Sequence, residues 1–109
     1  MNDFTKKRIT KIMDNYTQNA IPPHFQNQMI LSSNIRGNNV ALIEERPAFM
    51  SDRWVQHPMA QFRVVEYQWR IYWKDSKNKG IFTDDILPDA DFEKQLSTVV
   101  NDNRGLFRG

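Results

Sequence analysis

A chain of 109 residues, with 15 Lys and Arg against 13 Asp and Glu and a net charge of +2, is the size of one domain around one core. It has no cysteine, which excludes a disulfide framework, a thiolate metal site and a cysteine nucleophile, and suits a reducing cytoplasm. No apolar run approaches the ~20 residues needed to span a bilayer. The opening MNDFTKKRITK also lacks the apolar stretch of a signal peptide, so a soluble cytoplasmic protein without a membrane role is expected.

Residues 3–20 read as a helix. Phe4, Ile9, Ile12, Met13, Tyr16 and Ala20 recur at three- and four-residue steps and build one apolar face. Asp3 suits the N-cap, and Pro22-Pro23 ends the helix because the residue before a proline avoids the helical region. In FQNQMILSSNI, the residues Met29, Leu31, Ser33 and Ile35 alternate onto one face of a first strand. RGNN then turns the chain, with Gly37 supplying positive φ at little cost. NVALIEERP returns as a second strand that Pro47 ends.

Beyond a polar loop, PMAQFRVVEYQWRIYWKD holds two strands joined by a tight turn near Glu66-Tyr67. Ala60, Phe62 and Val64 share a face in the first, as Trp69, Ile71 and Trp73 do in the second. SKNKG makes a further turn into a short strand on GIFTDD. Pro88 and Asp89 open a second helix whose inner side is Phe92, Leu96, Val99 and Val100, and whose early acids suit the helix dipole. The tail NRGLFRG offers Leu106 and Phe107 for packing back onto the domain. The sum is a single α+β domain over residues 1–109. Its antiparallel meander sheet has four to five strands, flanked by an N-terminal and a C-terminal helix on one face.

Several stretches taken together resemble a family of small bacterial proteins filed as a domain of unknown function. They are Glu45-Arg46-Pro47, Trp54, Pro58-x-Ala60-x-Phe62-Arg63, Trp69-x-Ile71-Tyr72-Trp73-x-Asp75 and the terminal Gly105-x-Phe107-x-Gly109. The proline-bearing IPPHFQNQ after the first helix fits as well. The chain departs from that pattern at Arg108, where relatives carry tryptophan, and in a shorter hairpin before the Trp-rich strand. The resemblance implies the architecture and carries no activity with it.

Two stretches contain the chemistry. In IEERPAFMSDRWVQH, the side chains of Glu44, Glu45, Asp52 and His57 supply carboxylates and an imidazole, the ingredients of a small metal-assisted hydrolase. Glu44 and Glu45 are strand neighbours, however, and point to opposite faces. No His-x-x-x-His or Glu-x-x-His spacing, nucleophile motif or phosphate-cradling glycine loop accompanies them, so no metal or other cofactor is expected. The plainer reading is a latch: Arg46 or Arg53 pairs with a carboxylate, Pro47 stiffens the strand exit and Trp54 plugs the core edge.

The second stretch is the aromatic strand. Arg70, Tyr72 and Lys74 fall on the face opposite Trp69, Ile71 and Trp73, with Arg63 on a neighbouring strand. Basic residues interleaved with an aromatic on an open sheet face suit single-stranded nucleic acid, although a solvated face shows the same alternation. Lys6, Lys7, Arg8 and Lys11 make the start of the chain basic, and Lys6, Lys7 and Arg8 fall in the first turns of the helix, where its dipole disfavours cations, a second hint of an acidic partner. The expected function is a non-enzymatic binding module with a protein or single-stranded nucleic-acid partner. It would use Arg63, Arg70, Tyr72 and Lys74, with Arg46, Arg53, Trp54 and His57 as a binding loop. A homodimer through the sheet is an equal expectation.

Overall fold

The computed structural model describes residues 1–50, 52–74, 80–82 and 86–101, with backbone alone for 73, 74 and 80–82. Helix α1 (Asp3–Ala20) leads into a single 3-10 turn at Pro23–Phe25. Strands β1 (Ile30–Arg36), β2 (Asn39–Pro47), β3 (Trp54–Val65), β4 (Gln68–Lys74) and β5 (Gly80–Phe82) follow, and helix α2 (Phe92–Val100) comes last. The strands form one antiparallel meander in chain order. The SKNKG turn, the tail with Leu106 and Phe107, and the side chains of Trp73 and Lys74 lie outside the described residues.

Alternation within each strand decides which face is covered. Leu31, Val40, Leu42, Ala60, Phe62, Trp69 and Ile71 are buried together with Ile9 and Met13 of α1 and Phe92, Leu96 and Val99 of α2. Both helices therefore lie on one side of the sheet, and neither covers the other side. The Phe92 ring ties the layers, with its centroid 5.1 Å from Phe62 and 4.9 Å, edge-on, from Trp69. Such pairs add about 0.5–1.5 kcal/mol beyond burial.

Turn chemistry fixes the registers. Gly37, at φ 56°, is the first of two loop residues between Arg36 and its partner Asn39, the position where a type II′ hairpin takes glycine. Glu66 and Tyr67 both have positive φ, 52° and 65°, as a type I′ turn demands, although Asn-Gly is the usual occupant. Between β2 and β3, Leu42 faces Ala60 while Ile43 faces Pro58. Met59 is thus an extra, bulged residue, and this is why Met59 and Ala60 are buried in succession.

Four expectations change. Phe4 is 79% exposed, because at 100° per residue it sits about 140° and 180° around the helix from Ile9 and Met13. The α1 cap is Asn2, whose side chain accepts the Thr5 N–H at 2.8 Å. Helix α2 begins only at Phe92, capped by Asp91. Asp89 is instead bridged to Trp69 by two backbone hydrogen bonds of 2.7 and 3.2 Å, which hold the approach to α2 against β4. Lastly, Trp54 is no plug: it is 42% exposed.

Candidate functional site

Register places the basic residues. Arg36 pairs with Asn39, Asn39 with Arg63, and Arg63 with Arg70, giving one row across four strands on the open face. The next open-face row is Asn34, Ala41, Gln61 and Tyr72. At about 4.8 Å between strands, the arginine row spans roughly 14 Å from Arg36 to Arg70. Arg63 is held in place from two sides. Its Nε donates to Asn39 Oδ1 at 2.7 Å, and its guanidinium lies 5.0 Å from the centre of the Tyr72 ring.

The arginine row and the row beside it carry no carboxylate among the described residues. Among the described residues, the only carboxylate in the open-face rows is Glu45, at the far end, where it accepts a hydrogen bond of 2.9 Å from Gln56. Like charges directly opposite one another on a sheet are unfavourable, so the Arg63–Arg70 pair raises local potential at a cost to stability. Arg70 is half-buried rather than fully exposed, because β4 lies inside the sheet between β3 and the chain that pairs with it at Asp89. Arg36 and Gln61 were not among the expected residues. The signal for Arg36 was its place just before a two-residue glycine turn, which dictates the pairing with Asn39.

The loop residues do not converge. Glu44 and Glu45 diverge to opposite faces, as strand neighbours must. Glu44 is ion-paired with Arg46 two residues along its own strand, so Arg46 does not close the loop. It also donates to the Met29 sulfur at 3.7 Å. His57 lies across from Glu44 on the helix side. Asp52 sits beyond the Pro47–Trp54 pair, and that pair is itself about 10 Å along the strand from His57. Among the described residues, no three His, Cys, Asp or Glu side chains come close enough to hold a metal ion. Trp54 is on the open face and Arg53 is exposed in the loop. Arg46, Arg53, Trp54 and His57 therefore do not form one site.

The basic start of α1 belongs to the helix layer. Lys6, Lys7 and Lys11 share a shallow groove along α1 with two carboxylates, Asp3 and Asp14. Arg8 reaches Glu93 of α2 at 3.5 Å. The start of α1 meets the β1–β2 turn beside the row, where the Met1 ammonium donates to Asn38 Oδ1. Among the described residues, the Asp89–Lys94 pair shifts its own titration and is structural. Lys94 donates to the Asp89 carboxylate at 2.9 Å and holds that carboxyl below its ordinary range, and Asp89 in turn raises the Lys94 ammonium.

No helix among the described residues is long and apolar enough to cross a membrane. A family model described as Domain of unknown function (DUF3024) matches residues 1–109. No curated protein matches the sequence, and no solved structure does.

Proposed function

Because the chain belongs to the DUF3024 family, whose domain has no assigned function, we propose from its own geometry that it is a non-enzymatic binding module for single-stranded nucleic acid. The observation that carries this is the row of Arg36, Arg63 and Arg70 beside Tyr72 on the face the helices leave open. Guanidinium groups match phosphate oxygens in a fork, and an aromatic ring offers a stacking surface that tolerates any base. The Arg63 guanidinium over Tyr72 brings charge and stacking to the same place. A cytoplasmic setting completes the proposal.

Fluorescence anisotropy with short labelled oligonucleotides over a salt series tests it. Three phosphate contacts on a single strand give a slope of log K on log salt near −2, at about −0.7 per contact. Arg36→Gln with Arg63→Gln flattens that slope by about 1.4 and weakens binding to all sequences alike. Tyr72→Ala removes roughly 1–3 kcal/mol of stacking with little change in slope. Absence of binding by the wild type at low salt ends this reading and leaves a protein partner.

A further inference from the structure

An arginine row by itself would suit any polyanion, but the row beside it carries different chemistry. Register sets Asn34 across from Ala41 and Ala41 across from Gln61, with Tyr72 next in line. Two amide side chains thus stand about 10 Å apart, two strand spacings, on either side of an alanine. Asn34 is exposed, and Ala41 and Gln61 are half-buried. Ile43, also half-buried, lies two residues beyond Ala41 on the same face. Ala41 and Ile43 therefore give the space an apolar floor, and the two amides give it a polar rim.

The amides of this face fall into two kinds. Asn39 is committed to Arg63, whose Nε donates to its Oδ1 at 2.7 Å, and Gln56 is committed to Glu45 at 2.9 Å. Among the described residues, no other group of the protein takes up the side chain of Asn34 or of Gln61. We propose that Asn34 and Gln61 form a base-edge subsite, in which an unpaired nucleobase lies over Ala41 while its backbone follows the arginine row. This subsite rests on the nucleic-acid reading above and narrows its ligand to strands with free base edges.

A nucleobase has an apolar face and an edge of donors and acceptors, the complement of this floor and rim. Each side-chain amide carries both donors and an acceptor, so it can turn to suit any base, and the subsite tolerates any sequence. Its demand is that the edge be free, because pairing in a duplex occupies the same groups. The two rows lie two residues apart along the strands, roughly 7 Å. Phosphate contacts and base contacts therefore run side by side across the sheet. Tyr72, in the same row as the amides, stacks a neighbouring base.

Anisotropy at low salt with two labelled strands of equal length tests this, one bearing bases and one built of abasic nucleotides that keep every phosphate. The wild type should hold the base-bearing strand more tightly, and exchanging one base for another should matter less than removing the bases. Asn34→Leu with Gln61→Met keeps the shapes and removes both amides. It should weaken the base-bearing strand roughly tenfold, about what two hydrogen bonds supply, and leave the abasic strand and the salt slope unchanged. If that variant misfolds, Ala41→Val, a change a strand favours, fills the space and replaces it with the same expectation. A folded variant that weakens both strands alike, or neither, overturns the subsite and leaves the arginine row standing. So does a wild type that holds the abasic strand as tightly as the other. A wild type that binds neither strand ends the nucleic-acid reading and the subsite together.

Discussion

Gln95 is the one buried polar side chain among the described residues. It is 2% exposed, and its side-chain amide donates to the Trp69 carbonyl at 2.9 Å and to the Leu87 carbonyl at 3.0 Å. It thereby ties α2 to β4 and to the segment that enters α2. Gln95→Leu keeps most of the volume and removes both donors. A buried acceptor deprived of its partner costs about 1–3 kcal/mol. The Trp69 carbonyl retains the Asp89 N–H at 3.2 Å, and Leu87 is 79% exposed, so its carbonyl can take water. The loss should therefore fall near the low end, about 1–2 kcal/mol, which lowers Tm by roughly 5–15 °C for a domain of this size. Thermal unfolding followed by circular dichroism reads it. A Gln95→Leu protein that melts at or above the wild-type temperature refutes the claim that these two bonds hold the helix to the sheet.

Glu66→Asn with Tyr67→Gly relieves two left-handed backbone conformations and should stabilise the fold by about 1 kcal/mol or more in urea titrations. Trp69→Ala should cost about 3–5 kcal/mol, since Trp69 is 4% exposed and packs edge-on against Phe92; a wild-type urea midpoint would contradict this. Lys94→Gln frees the Asp89 carboxyl, whose folded pKa lies below the ordinary 3.8. The contribution of that carboxyl is present above its unfolded value and lost as pH falls through the folded one. The small stability gap between Lys94→Gln and wild type should accordingly be widest near neutrality and close in acid.

The sheet was legible because each strand is half-buried, and half-burial writes itself as alternation: Leu31 to Ile35, Val40 and Leu42, Phe62 and Val64, Trp69 and Ile71. The Glu66-Tyr67 turn was legible even without glycine, because two apolar alternations meet there with opposite sense. Gln95 was invisible, since a glutamine among Phe92, Leu96 and Val99 reads as the edge of a helical stripe. Its burial depends on carbonyls at Trp69 and Leu87 that only the fold supplies. Phe4 misled for the opposite reason: an apolar residue near the right spacing need not reach the core. The grouping of Arg63 with Arg70 and Tyr72 was legible from strand parity. The fourth column, with Arg36, needed the register of two hairpins at once. The exposure of Trp54 follows from its pairing with Pro47, which puts it on the open face, a parity that depends on the bulge at Met59.

Chemical-shift mapping of backbone amides during titration with a short single-stranded oligonucleotide tests the binding face most directly. The predicted shifts cluster at Arg36, Asn39, Gln61, Arg63, Arg70 and Tyr72 and spare α1. Shifts concentrated at Lys6, Lys7 and Lys11, with the arginine row unmoved, would contradict the account.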